Sequence, residues 1–240
     1  MQKEVKQLLS WLFPAQCVGC GRRGGELLCE RCRESIVPIE FHCTRCAEPL
    51  PSGFHHLCGG CITKELEIDY AITCYPYQGA LRESLISLKS KNRPALWRGL
   101  RRLLIQALEL RKEQGVLAPF FEADLVVPIP LHWRRLWVRE FNQAHWIARE
   151  VGRFLGLPVE LGLKRVRPTP QQWGRSFDER RRNVEGAFEA VRPFSGKRAI
   201  IVDDIATSLA TANEAAKVLK RTGAPWVGLF TLARTLRIQG

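Results

Sequence analysis

Beyond residue 66 the chain alternates between short apolar runs and longer stretches in which apolar positions recur every three or four residues. The short runs predict strands over 68–75, 124–128, 158–161, 198–203 and 226–232. The periodic stretches predict helices. The clearest covers 94–112, with Leu96, Leu100, Leu103, Leu104, Ala107 and Leu108 on one face, and another covers 142–155, with Ile147, Ala148, Val151, Phe154 and Leu155 aligned. Strand, crossover helix and strand in repetition give a mostly parallel sheet with helices on both faces. Ligands in such sheets sit at the carboxyl ends of the strands. Residues 2–13 read as a short amphipathic helix, and residues 166–185 form the one long polar connection.

Composition sharpens this outline. A chain of 240 residues with 45% hydrophobic and 25% charged side chains can bury a real core. No apolar run approaches the roughly 20 residues that cross a bilayer. Pro14 and Gln16 stand where a signal-peptidase or lipoprotein site before Cys17 would want small residues. The expectation is a soluble protein.

Eight of the nine cysteines fall into four C-x-x-C pairs, Cys17/Cys20, Cys29/Cys32, Cys43/Cys46 and Cys58/Cys61. A C-x-x-C turn lets two thiolates converge on one ion at about 2.3 Å, whereas a disulfide across it closes almost no loop. A catalytic dithiol would explain one such pair but not four. The expectation is two structural Zn²⁺ ions, the first on Cys17, Cys20, Cys29 and Cys32, the second on Cys43, Cys46, Cys58 and Cys61. A cross-braced pairing of first with third knuckle is the alternative. The chain then divides into residues 1–66, a short helix plus a double zinc ribbon, and residues 67–240, the α/β domain. Cys74 stands alone in a strand pattern and reads as a core thiol, and His55 and His56 are not needed as ligands.

The net charge is +13. Residues 1–66 hold 8 basic and 7 acidic side chains, which leaves 29 basic and 17 acidic in residues 67–240, a net +12. Two zinc ions on eight thiolates bring the cysteine module to about −3. The positive field therefore belongs to the larger domain, where it attracts phosphates, nucleic acid or anionic lipid.

The strand rule points at AIIVDDIATSLATANEAAKVLK. Ala199 to Val202 make a buried strand that Asp203 and Asp204 end, and Thr207, Ser208 and Thr211 surround the start of the next helix. Hydroxyls and N–H groups at a helix N-terminus hold a phosphate, aided by the helix dipole. An ordinary helix cap would require one hydroxyl and no acidic pair.

VDDIATSLAT resembles the phosphoribosyl-diphosphate signature of type I phosphoribosyltransferases, in which two acids are followed by a Thr-Thr-Gly-x-Thr loop. LLSWLFPAQCVGCG, the paired C-x-x-C module, VVPIPLHWRRLWVREFNQAHWIA, KRVRPTPQQWGRSFDERRRNVEGAF and the closing LARTL resemble the ComF family. The likeness covers nearly the whole chain. It implies a zinc module fused to a type I phosphoribosyltransferase-like fold, cytoplasmic, and tied in some members to handling single-stranded DNA during competence and transformation. It also implies competence and DNA-uptake proteins as partners. Carried over by residue, Asp203 and Asp204 would hold the ribose hydroxyls of phosphoribosyl diphosphate, directly or through Mg²⁺. Thr207, Ser208 and Thr211 would hold the 5′-phosphate. Arg134, Arg135 and Arg139, before Asn142 and Gln143, stand where the family places its diphosphate loop. Arginine suits that task because its planar fork binds two oxygens.

Two residues depart from the pattern. Leu209 takes the position of the signature glycine, where a branched side chain is expected to forfeit positive φ and close backbone approach. Glu140 replaces the usual glycine before Phe141 and adds negative charge. Ligand binding is therefore favoured over transfer. An active transferase, a zinc-dependent adaptor of DNA uptake, and a sensor that binds phosphoribosyl diphosphate without turnover are the three readings carried forward. Trp97, Trp133, Trp137, Trp146 and Trp173 could stack bases on single-stranded DNA, although packing accounts for most aromatics.

Overall fold

The computed structural model describes residues 15–51, 53–63, 65–90, 94–132, 141–167 and 182–236. The helix expected over 2–13 lies outside them, as does most of the polar connection. The chain forms two compact units, Met1–Val37 with Tyr77–Leu103, and Pro38–Pro76 with Leu104–Gly240. These units divide the chain differently from a cut after residue 66, since each contains one of the two cysteine quartets.

In the first unit, α1 (Glu30–Glu34) starts just after Cys29 and carries Cys32 of the second cysteine knuckle, and the chain later returns as α3 (Gly79–Ser90), a 3₁₀ turn at Pro94–Leu96 and the start of α4 (Trp97–Glu113). Leu28, Leu81, Leu85, Leu88, Leu96 and Leu100 are buried. The knuckle approaches the helices closely. A Cβ on Gly19 would lie 2.9 Å from Ala80 Cβ, and one on Gly99 would lie 3.2 Å from Leu28 Cβ. Glu26 pairs with Arg33 and, at 2.8 Å, with Arg102.

In the second unit, the hairpin β1 (Phe41–His42) and β2 (Pro49–Leu50) and the short α2 (Gly59–Thr63) carry the remaining cysteines. The sheet has the order β3 (Tyr70–Pro76), β8 (Val227–Arg234), β7 (Ala199–Ala206), β4 (Leu125–Pro128), and every pairing is parallel. Sheets covered on both faces need strands that are apolar throughout rather than alternating. β4 and β8 are buried along their whole length, as is Ala199–Val202 of β7. The one-turn α5 (Ala118–Phe121) precedes β4, α6 (Gln143–Leu155) packs on β4 and β7, and α7 (Ala210–Arg221) packs on β7 and β8. The 3.6-residue period of α6 buries Ile147, Ala148, Val151 and Leu155. Asn142 caps it, its Oδ1 accepting from Ala144 N–H at 3.0 Å, and Gly156 ends it at φ 72°.

Strand boundaries shift from those expected, most at two places. Residues 158–161 make only one bridge, Val159 to Val126, because the chain turns at once into the antiparallel pair β5 (Leu163–Arg165) and β6 (Phe188–Ala190). β7 does not stop at the aspartates. It pairs with β8 as far as Ala206 opposite Arg234, so the acids sit within the strand's last turns of pleat. One buried cation holds the unit's interior. Arg111, 1% exposed, donates from Nη2 to the Thr73 carbonyl at 3.0 Å and from Nη1 to the Glu40 carbonyl at 3.3 Å.

A Cβ added at Gly228 in β8 would lie 2.6 Å from the Trp226 ring and 2.8 Å from Phe120, two rings locked edge-to-face. Gly228→Ala should lower stability by about 1–3 kcal/mol, read as a lower denaturation midpoint with an unchanged slope; an unchanged midpoint would show that the rings yield freely.

Candidate functional site

In the first quartet, Cys17, Cys20, Cys29 and Cys32 bring their sulfurs within 4.8 Å of one another, and so do Cys43, Cys46, Cys58 and Cys61 in the second. Consecutive knuckles therefore pair, and the cross-braced alternative is not adopted. Tetrahedral thiolates about 2.3 Å from a zinc ion stand about 3.8 Å apart. Cys20 and Cys29 Sγ are 3.7 Å apart, as are Cys46 and Cys58 Sγ, far beyond a disulfide bond.

The protonation of these thiols argues the same way. Burial acts to raise Cys17, but hydrogen bonds from the backbone of Cys29, Cys20 and Gly19 outweigh it and bring it to about 6. Cys43 falls to about 4, chiefly through the Cys46 thiol, against burial and with help from the Cys58 N–H, which donates to its sulfur at 3.2 Å. Burial and neighbouring thiols push Cys32 up, and burial pushes Cys61 up to about 12. One thiolate forms readily in each quartet, while Cys32 and Cys61 require a divalent cation to offset crowded negative charge. His42 and His55 are not ligands; their rings meet edge-to-face at 4.4 Å beside the second quartet. Cys74 is fully buried and its thiol is pushed up to about 12 by burial, an inert core position.

At the carboxyl end of β7, Asp203, Thr207, Leu209 and Thr211 line a pocket with Thr231 of β8, open to solvent on one side. Asp204 lies beside it, 7% exposed, and its N–H donates to Asp203 Oδ1 at 2.8 Å. Thr207 is exposed, and Ser208 and Thr211 are half-buried. Ser208 Oγ accepts from Ala210 N–H at 3.4 Å, so this hydroxyl is partly engaged in capping α7. The first turn of α7 supplies N–H groups that have no intrahelical acceptor. β4 ends beside this point, with Ile129 N–H donating to the Val202 carbonyl at 2.9 Å. Arg134, Arg135, Arg139 and Glu140, which follow β4, lie outside the described residues, as do Trp133, Trp137 and Trp173. Trp146 stacks on Phe141 at 4.4 Å, a contact that occupies one ring face.

Leu209 corrects the expectation placed on it. It adopts φ 64° and ψ −1°, the left-handed conformation that glycine would supply, and it starts α7 through the bond from Asn213 N–H to its carbonyl at 2.8 Å. The loop keeps the backbone path and bears the strain of a side chain on it. Burial of that side chain, 6% exposed among Ala206, Ala212 and other core residues, is what offsets the strain.

Arg234 was given no role by the sequence. It ends β8 with a fully buried side chain, donating to the Thr207 carbonyl at 2.8 Å and to Glu48 at 2.7 Å. The available signal was the lone charged residue of an otherwise uncharged strand, within LARTL.

Residues 8–62 match the family model of the double zinc ribbon domain, and the two quartets are its zinc sites. The chain is 32% identical over 212 residues to the DNA utilization protein YhgH of Escherichia coli K12, covering 87% of this chain and 91% of that protein. It is 30% identical over 232 residues to Competence protein F of Haemophilus influenzae, covering 92% and 98%. Among solved structures it is similar to glutamine phosphoribosylpyrophosphate amidotransferase from B. subtilis, at 26% identity and a TM-score of 0.32. That likeness takes in 46% of this chain and 22% of the other. Among the described residues no helix is long and apolar enough to cross a membrane.

Elemental analysis should give two zinc ions per chain, and one or none would contradict the paired quartets. Leu209→Gly should relieve about 1–2 kcal/mol of left-handed strain but forfeit about 2–5 kcal/mol of burial and packing. A melting temperature lower by a few degrees is the expected result. A higher melting temperature would mean that the buried leucine contributes less than its strain costs.

Proposed function

Because the chain belongs to the ComF family, we propose that it binds phosphoribosyl diphosphate at the carboxyl end of β7 and serves the handling of single-stranded DNA in competence. The observation that carries this reading is the pocket where Asp203, Thr207 and Thr211 meet the first turn of α7. Thr207, Ser208 and Thr211 hydroxyls and the N–H groups of that turn hold the 5′-phosphate, whose charge the helix dipole favours. Asp203 is half-exposed and able to take a ribose hydroxyl or share a divalent cation, while Asp204 is the more buried of the two. Their carboxylates fit Mg²⁺, a hard ion that takes oxygen ligands. When bound with the diphosphate, Mg²⁺ supplies neutralisation of its charge. Arg134, Arg135 and Arg139 are the side chains assigned to the diphosphate.

Phosphoribosyl transfer is the second reading, and the left-handed backbone at Leu209 favours it, since the loop has kept the path a glycine would take. Transfer would break the bond from C1′ to the diphosphate oxygen and form one to a nitrogen of an acceptor base, the diphosphate leaving with the bonding pair. Preorganised N–H groups and arginines would stabilise its charge. The excess of 29 basic over 17 acidic residues beyond residue 66 supports binding of single-stranded DNA through phosphates, tolerant of sequence.

Calorimetric titration with phosphoribosyl diphosphate and Mg²⁺ should give saturable binding that Asp203→Asn weakens at least tenfold. No heat of binding with a folded protein would remove the ligand and leave an adaptor. Affinity for an oligothymidylate should fall steeply between low and physiological salt, and replacing Arg134 and Arg135 together should weaken it for every sequence tested. An affinity indifferent to salt would contradict the electrostatic argument.

A further inference from the structure

Glu48 lies in the second zinc ribbon, two residues after Cys46, yet its carboxylate points to the far end of the sheet. There it meets Arg234, whose side chain is 1% exposed while that of Glu48 is 18% exposed. The same guanidinium spans from this carboxylate to the Thr207 carbonyl through its two terminal nitrogens, 2.7 Å and 2.8 Å from their acceptors. The planar fork of arginine is suited to such a bridge because both nitrogens are fixed in one frame.

Each end of the bridge is held. On the ribbon side, the Glu48 carbonyl accepts from Cys43 N–H at 2.8 Å, and Ala47 N–H donates to the Cys43 carbonyl at 2.9 Å, with Ala47 fully buried at φ 57°. The turn between Cys43 and Cys46 therefore sets where Glu48 stands. The same turn is anchored to the sheet, Ala71 N–H donating to the Thr44 carbonyl at 2.6 Å. On the loop side, Arg234 lies opposite Ala206 in the ladder, and Thr235 N–H donates to the Ala206 carbonyl at 3.0 Å. Cys43, Cys46, Ala47, Ala206 and Leu209 belong to one buried cluster.

The consequence for the loop follows from peptide geometry. In a trans peptide the carbonyl and the following N–H point in opposite directions. Drawing the Thr207 carbonyl inward to Arg234 aims the Ser208 N–H away from it, as a backbone donor to a phosphate requires. The next residue, Leu209, holds a conformation that only surrounding contacts can maintain.

We propose that Glu48 and Arg234 are positioning residues through which the second zinc site, and not the first, holds the phosphate loop in its binding conformation. The first quartet belongs to the other compact unit and makes no part of this bridge. The binding half of the proposal rests on phosphoribosyl diphosphate being the ligand; the loop-order half does not.

Hydrogen exchange on the full-length, zinc-loaded chain tests it, with phosphoribosyl diphosphate affinity measured in parallel. Glu48→Ala, Arg234→Met and Cys58→Ser should each speed exchange of the amides of residues 208–212 at least tenfold while 199–202 keep their protection. Cys20→Ser should leave both segments as they were. Arg234→Lys and Glu48→Gln should recover part of the protection, a rescue that a merely space-filling role would not give. Equal exchange in 208–212 for the parent and Glu48→Ala overturns the proposal, and so does an equal effect of Cys20→Ser and Cys58→Ser. If Cys58→Ser does not fold, Glu48→Ala against Glu48→Gln decides alone. If the parent binds no phosphoribosyl diphosphate, the ligand assignment fails, and the exchange result still decides whether the ribbon orders the loop.

Discussion

Parallel pairing on both sides leaves β7 no solvent-facing edge, and that constraint decides where the chemistry of the α/β unit can stand. With β4 on one side and β8 on the other, Ala199 to Val202 must be apolar on both faces, and all four are fully buried. A carboxylate inside that stretch would be stranded from water at a cost of several kcal/mol. Asp203 is the first position at which the sheet's cover thins, and Ile129, leaving β4, closes its last ladder bond one residue before it. The acids, the hydroxyls and the α7 N-terminus thus collect at one strand end because the rest of the strand excludes them.

The same exclusion gives Arg234 its significance. A guanidinium fully buried at the end of an apolar strand must be satisfied, since an unpaired buried charge is among the most destabilising features a fold can carry. The acceptors it finds are the Thr207 carbonyl in the loop after β7 and a carboxylate of the zinc ribbon. The cysteine module is thereby more than an appendage. Its second quartet shares a buried cluster with the sheet, and its first organises the other compact unit around Leu28 and α3. Once its metals are bound the module carries about −3, so the basic surface remains the property of the α/β sequence.

Periodicity made the long elements legible. The faces of α4 and α6 and the apolar run of β7 appear in the sequence because many residues agree on one period. The β5–β6 pair was not legible, since two three-residue strands with exposed alternate positions carry no period to detect. The quartets were legible from spacing, because a C-x-x-C turn admits few geometries. Two features depended on tertiary context instead. Leu209 enters the left-handed region only because its side chain is buried, which propensity argues against. The bridge from Glu48 through Arg234 to Thr207 joins residues 186 and 27 positions apart, beyond any local signal.

The central claim is that the loop following Asp203 and Asp204 is the phosphate-binding element of this chain. Backbone amide chemical shifts recorded while phosphoribosyl diphosphate and Mg²⁺ are added to the full-length protein locate the ligand directly. The account predicts saturable shifts concentrated in residues 203–212, largest at Ser208 and in the first turn of α7. Shifts confined to other segments, with residues 203–212 unmoved at saturation, would contradict it.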